Sequence, residues 1–255
     1  MLHVDIQGSG PALVLLHGWG LHGGVFAPLQ AQLRQHFTLY TVDLPGHGLS
    51  QQHPVPAHLA DWAGAVLEQV PPALWLGWSL GGLVAQQAAL QAPAQLHGLV
   101  CLASSPCFVR KADWPHGIAP DVLTGFIAHM QAHYADTVDR FLALDLINLP
   151  GGQQAAARLR DALLAVGHPS TQGVERGGRL LLETDLRAQL PGLRVPSCWL
   201  AGQRDRLAAP ASMAAAATLA PRAQSLTVAG TGHAPFLGDT AAVGRLVLDF
   251  QQRLA

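Results

Sequence analysis

Hydrophobic positions in the first hundred residues fall into short continuous runs separated by longer mixed stretches. Residues 12–17 (ALVLLH), 37–43 (FTLYTVD), 73–78 (ALWLGW) and 98–103 (GLVCLA) are such runs. An uninterrupted apolar run of this length predicts a strand covered on both faces. Between them, residues 25–35, 57–70 and 80–91 are compatible with helices. The alternation resumes after residue 194, with strands over 196–201 and 224–228 and helices near 211–219 and 241–254. Six buried strands alternating with helices predict an α/β fold with a mostly parallel, doubly wound sheet. Residues 3–10 (HVDIQGSG) are placed to add an antiparallel edge strand.

From about residue 109 to 185 this alternation stops. The stretch has helical periodicity, interrupted at Pro115, Pro120, Pro150-Gly151-Gly152, Pro169 and Gly177-Gly178, and no strand-like run. It predicts a helical insertion over the sheet. The expected division is a core of residues 1–108 and 186–255 and a cap of residues 109–185. No Asp, Glu, Lys or Arg occurs between Glu68 and Arg110, and ALWLGWSLGGLVAQQAAL within it is long enough to cross a bilayer. Pro71-Pro72, Gly77, Gly81, Gly82 and Gln86-Gln87 break it up, so strand, turn and helix are expected instead of a membrane span.

At 255 residues the chain suits one α/β domain carrying an insert. Charged residues make up only 12% against 49% hydrophobic, which marks a folded chain. A net charge of −1 argues against a general electrostatic grip on nucleic acid or an anionic membrane. The N-terminal MLHVDIQGSG has neither basic nor apolar signal regions, so no secretory signal is expected. Cys101, Cys107 and Cys198 are odd in number and lie in apolar stretches. They are expected to be small buried hydrophobes in a reducing cytosol.

The strongest chemical signal is Gly77-Trp78-Ser79-Leu80-Gly81, a G-x-S-x-G between a predicted strand and a predicted helix. That context makes it a nucleophile elbow, in which a tight turn exposes the serine hydroxyl at a helix N-terminus. A serine needs a base, and the base an orienting acid. His233 lies in a glycine-rich loop after the last predicted strand, and Asp205 lies just beyond the preceding one. Both fall at strand C-terminal ends, where open α/β sheets place their chemistry. The N–H groups of Trp19 (in His17-Gly18-Trp19-Gly20) and Leu80 are the candidate oxyanion hole. His17, Asp43 and His47 are expected to be structural. No H-E-x-x-H, C-x-x-C, G-x-G-x-x-G or P-loop lysine occurs, and His129 with His133 is expected to form a solvated helix face. No metal and no cofactor are expected.

With these motifs in order, the chain resembles the α/β-hydrolase superfamily. LLHGWGL, DLPGHGLS, WLGWSLGGLVA, SSPCF followed by WPHGI, TVDRFLALDL and GHAPF make it similar, within that superfamily, to the family of pimeloyl-acyl-carrier-protein methyl ester esterases of the biotin pathway. The resemblance runs from about Leu13 to Phe236. It implies an α/β-hydrolase fold and a serine carboxylesterase whose triad is Ser79, Asp205 and His233. Trp19 and Leu80 take oxyanion and substrate-contact positions, and Phe141, Leu142, Ala143, Leu144 and Asp145 take the cap contacts with the acyl chain. It also implies an acyl carrier protein as partner, docked through Arg140 and Arg158, and a monomeric, cytoplasmic enzyme. Asp136 stands where that family has a further basic residue. Residues 109–185 hold seven basic and nine acidic side chains, but from Arg140 to Leu180 the balance is five to three.

Two other assignments are compatible with these residues. A general short-chain esterase, thioesterase or carbon–carbon bond hydrolase would use the same triad, because fold and triad do not name the substrate. A non-catalytic ligand sensor is the alternative from another class, and the intact triad speaks against it.

Overall fold

The computed structural model describes residues 1–146 and 151–254. Seven strands form one sheet: β1 (Val4–Gly8), β2 (Ala12–Leu16), β3 (Thr38–Val42), β4 (Ala73–Trp78), β5 (Leu96–Leu102), β6 (Ser197–Gly202) and β7 (Ala223–Val228). Their spatial order is β1-β3-β2-β4-β5-β6-β7. β1 runs antiparallel to β3 and every other pairing is parallel. The six runs all form strands, with the N-terminal edge strand beside them, but β7 is not buried as expected: it is the other edge of the sheet and only Val228 of it is buried.

The order places β4 at the centre of the sheet, where all six of its residues are buried. Helices α1 (Ala27–Leu33), α2 (Leu59–Leu67), α3 (Leu80–Gln91), α8 (Pro210–Leu219), the single turn α9 (Pro235–Gly238) and α10 (Thr240–Gln252) flank it. α1 is shorter than its hydrophobic pattern suggests. Residues Gly23–Phe26 form a 3₁₀ turn instead, capped by the His22 imidazole, which accepts the Gly24 N–H at 3.1 Å. Among the described residues no helix is long and apolar enough to cross a membrane. The three cysteines are buried and unpaired.

Between β5 and β6 the chain makes a helical insert: α4 (Pro120–Ala132), α5 (Tyr134–Leu146), α6 (Gly152–Ala165) and α7 (Thr171–Glu183). The break read at Pro150 lies outside the described residues. α7 is capped by Ser170, whose hydroxyl accepts the Gly173 N–H at 3.0 Å and so satisfies an orphan donor of the first turn. One face of α7 carries Gly173 and Gly177, four residues apart and hence stacked. A Cβ on Gly173 would meet the Gly46 carbonyl at 2.6 Å, and one on Gly177 would meet the Trp19 indole at 2.6 Å. These glycines let the insert sit directly on the loops at the end of the sheet. At its base, Asp185 joins Lys111 and Arg187, each at 2.7 Å, and ties the exit of the insert to its entrance.

Candidate active site

The elbow is built from what glycine lacks. Ser79 joins β4 to α3 with φ 54° and ψ −118°, a conformation that costs a non-glycine residue about 1–3 kcal/mol. The turn is tight enough that a Cβ on Gly77 would collide with the Gly81 carbonyl, and one on Gly81 with the carbonyls of Leu16 and His17. Hydrogen bonds to its main chain hold the strained residue in place. Its N–H donates to the Leu102 carbonyl at 3.0 Å, and its carbonyl accepts from the Ser104 hydroxyl at 2.8 Å and from the Gly82 N–H at 2.9 Å. The hydroxyl is thereby presented at the N-terminus of α3, where developing negative charge is favoured.

His233 and Asp205 reach the serine from loops after β7 and β6. His233 Nε2 lies 3.0 Å from Ser79 Oγ, and its Nδ1 lies 2.9 Å from Asp205 Oδ2. The other Asp205 oxygen accepts the N–H groups of Leu207 at 2.7 Å and Ala208 at 3.0 Å, which fixes the carboxylate's orientation. Burial opposes the charge on Asp205, yet the imidazole beside it and these N–H groups outweigh burial and hold its carboxyl below the ordinary value. Burial likewise opposes the protonated form of His233, but the Asp205 carboxylate, with a smaller contribution from Asp145, raises its pKa above the ordinary 6.5. A serine, an imidazole and a carboxylate connected in this way can pass a proton from hydroxyl to ring while a carbonyl carbon is attacked.

Two backbone donors are the candidates for the oxyanion hole. Leu80 is the first residue of α3, so its N–H has no carbonyl one turn back to bond. The Trp19 N–H makes no hydrogen bond among the described residues. The Trp19 indole braces the insert: its Nε1–H donates to the Val174 carbonyl at 2.8 Å, and its ring packs on Phe126.

Other conspicuous residues are structural. His17 accepts the Leu44 N–H at 2.9 Å and donates to the Gly18 carbonyl, and burial pushes its pKa down to about 3. His47 is also fully buried, at about 3. Asp43 accepts the N–H groups of Gly23 and Leu49, tying two loops together. His129 and His133 have tilted rings with centroids 5.0 Å apart, and they do not form the solvated face expected of them: His133 is exposed at the end of α4, but the Nε2 of His129 is buried.

Two adjacent spaces lie between insert and core. The inner one, about 60 Å³, is lined by Ser79 and His233 and otherwise mostly by apolar side chains, among them Trp19, Trp78, Met130, Val138 and Leu181. The outer one, about 700 Å³, shares Phe126, Thr137, Phe141, Leu207 and His233 with it. Its rim carries Arg140, Arg204 and Arg206, all exposed. Of the cap residues implied as chain contacts, Phe141 lines both spaces, and Leu144 and Asp145 line the outer one. Leu142 is buried within the helix packing and Ala143 is exposed, and neither lines the spaces. Five consecutive helical residues cover more than a full turn, so they cannot all face one channel. Arg158, on α6, lines neither space.

The sequence reading missed several lining residues. Phe126 and Met130 come from the i, i+4 apolar face of α4, and Trp78 is the variable residue of the elbow itself. Arg204 and Arg206 flank Asp205 directly, in Gln203-Arg204-Asp205-Arg206, and could have been flagged on that ground.

Comparison with known proteins agrees with this geometry. Residues 13–246 match the family model described as "Alpha/beta hydrolase family". Pimeloyl-[acyl-carrier protein] methyl ester esterase of Xylella fastidiosa (strain M23) is 50% identical over 92% of this chain and 93% of its own. The protein of that name from Stenotrophomonas maltophilia (strain K279a) is 47% identical over 100% of this chain and 98% of its own. Among solved structures, an esterase from Exiguobacterium antarcticum shares the fold with a TM-score of 0.86 at 21% identity, covering 98% of this chain and 94% of that one.

Proposed function

Because the chain belongs to the α/β hydrolase family, and within it to the pimeloyl-[acyl-carrier protein] methyl ester esterases, we propose that it cleaves the methyl ester of a pimeloyl chain carried on acyl carrier protein, in biotin precursor synthesis. The observation that carries this assignment is that close to half the residues are identical over the full chain, the insert included.

The mechanism follows from the site. His233 Nε2 takes the proton of Ser79 as Oγ attacks the ester carbonyl. The N–H groups of Trp19 and Leu80 receive the charge that builds on the carbonyl oxygen, a contribution of about 2.7–4 kcal/mol for one such donor. His233 then gives its proton to the leaving methoxide, and methanol departs. Water, deprotonated by the same imidazole, attacks the acyl-enzyme and releases the free acid. Asp205 keeps the ring oriented and stabilises the imidazolium throughout.

The two spaces suit the two ends of such a substrate. The small apolar chamber beside Ser79 accommodates the methyl ester. The methylene chain runs along Phe141 and Phe126, gaining about 0.8 kcal/mol per buried CH₂. The carrier docks at the outer rim, where Arg140, Arg204 and Arg206 offer positive charge to an acidic partner. In this scheme residues 109–185 act as a cap over the core, and the enzyme works as a monomer in the cytoplasm, a compartment that suits its unpaired buried thiols.

Turnover measured in parallel on pimeloyl methyl ester carried by acyl carrier protein and on p-nitrophenyl esters tests the assignment. Preference for the carrier-linked ester supports it, and turnover of free short esters alone rejects it. A fluorophosphonate probe should label the wild type and leave Ser79→Ala unlabelled; labelling that survives the substitution would place the nucleophile elsewhere.

A further inference from the structure

The helix α5 sends a carboxylate against the loop that carries the base. Asp145 Oδ1 accepts the N–H of Ala234 at 3.1 Å. The same oxygen would lie 2.6 Å from a Cβ on Gly232, so it packs against both chain neighbours of His233. Asp145 also borders the outer space. A carboxylate is a poor wall for a methylene chain, since burying a charge costs free energy unless it is given partners. Its partners here are on the core side, not in the channel.

We propose that Asp145 is a positioning residue: the insert uses it to latch the histidine loop, so that seating the insert on the core and readying His233 as a base are one event. This rests on the triad assignment above. Four groups of the core face the latch, namely the imidazole of His233, the carboxylate of Asp205, and Arg204 and Arg206 across the outer space. From the insert, Arg140 on the same helix and His129 on α4 border that space. Burial pushes the Asp145 carboxyl up, while the N–H groups of Ala234 and Gly232 and the nearby imidazole pull it back. In return its charge adds to that of Asp205 in favouring protonated His233. The latch therefore acts in two ways: through a hydrogen bond that fixes the loop, and through a charge that tunes the ring.

Asp145→Asn and Asp145→Ala separate the two. The amide oxygen of Asn can still accept the Ala234 N–H, but its charge is gone. With a p-nitrophenyl ester as substrate, Ala should lower kcat about tenfold with little change in KM, and Asn should recover most of that loss. The acid limb of the kcat/KM–pH profile should move to lower pH in both variants. The rate of fluorophosphonate labelling at Ser79 should fall in step with kcat. An acid limb that stays at the wild-type pH in Asn overturns the proposal, as does a kcat for Ala within twofold of wild type. If wild-type Ser79 reacts with the probe while the Asp145 variants titrate unchanged, the latch alone is wrong. A wild type that is not labelled at Ser79 overturns the triad assignment and the latch with it.

Discussion

The Trp78 indole donates its Nε1–H to the main-chain carbonyl of His233 at 2.7 Å, so the residue that precedes the nucleophile also holds the loop that carries the base. The ring adds to this, lying 5.7 Å from the imidazole, 5.3 Å from Phe236 and 5.5 Å from Phe141 on the insert. One side chain thus couples elbow, histidine loop and channel wall. Trp78→Phe keeps an aromatic ring and removes the donor, leaving the partly buried His233 carbonyl without that partner, at a cost of about 1 kcal/mol or more. Steady-state kinetics on a free ester should show kcat reduced about tenfold while fluorophosphonate still labels Ser79.

The glycines of the elbow make a sharper demand. A methyl group on Gly81 would sit against the carbonyls of Leu16 and His17, which are main-chain atoms at the end of β2 and cannot swing aside. Gly81→Ala should therefore destabilise the protein by about 1–3 kcal/mol or more through overpacking. Calorimetry should find the thermal midpoint lowered by several degrees, at about 2–4 °C per kcal/mol for a chain of this size. Gly151→Ala is the contrasting case. That residue has φ 70°, but among the described residues its Cβ would meet nothing within 4 Å, so backbone strain is what opposes the change and the drop should be smaller.

These two cases show what was legible in the sequence. The alternation of apolar runs carried the sheet, because a strand covered on both faces has little freedom in composition. G-x-S-x-G, with Asp205 and His233 at later strand ends, identified three groups that the fold then brings within 3.0 Å of one another in turn. What local pattern could not supply was direction. Phe141 through Asp145 are consecutive, and only the position of α5 over the core decides which of them face the channel. Arg204 and Arg206 look like ordinary loop charges until the packing of the insert turns their loop into part of a rim.

Buried histidines set the acid sensitivity of the fold, and the sign can be worked out. His17 and His47 titrate near 3 when folded and near 6.5 when unfolded. Between those values the unfolded chain takes up protons that the folded chain refuses, so stability falls as pH falls below 6.5. At pH 5 this amounts to on the order of 2 kcal/mol for each histidine. His233 works the other way: its folded pKa is raised, so its contribution is fully present below 6.5 and is lost as pH rises through the folded value. Two against one gives a net loss on acidification. Thermal midpoints should decline from pH 7 to pH 5, and His47→Phe, which cannot titrate, should flatten that decline.

Activity should also be lost on the acid side, for a different reason. His233 must be neutral to accept the Ser79 proton, and Asp205 raises the pH at which it becomes so. The acid limb of kcat/KM should therefore have its midpoint above 6.5, with activity present above it and lost as pH falls. Asp205→Asn removes the charge that raises the ring's pKa and also leaves the wrong tautomer. The acid limb should shift down and kcat should fall by several orders of magnitude. A midpoint at or below 6.5 in the wild type would mean that burial, not Asp205, dominates the ring.

The outer rim makes the assignment of substrate testable apart from the chemistry. Arg140, Arg204 and Arg206 are exposed and border one space, yet they come from opposite sides, the first from α5 and the others from the loop after β6. Arg158, by contrast, lies on α6 and borders neither space. Exposed charges of this kind act on encounter and orientation more than on the bond-breaking step, and salt screens them. Reversing all three rim charges to Glu should lower kcat/KM on the carrier-linked ester at least tenfold at low ionic strength. The loss should shrink as salt is raised, and the effect on a free p-nitrophenyl ester should be far smaller. Arg158→Glu alone should change the carrier-linked rate by less than twofold. If that single reversal costs as much as the triple one, docking runs over α6 instead of across the rim. If the triple variant loses equally on both substrates, the three arginines hold the loops in place and do not meet the carrier.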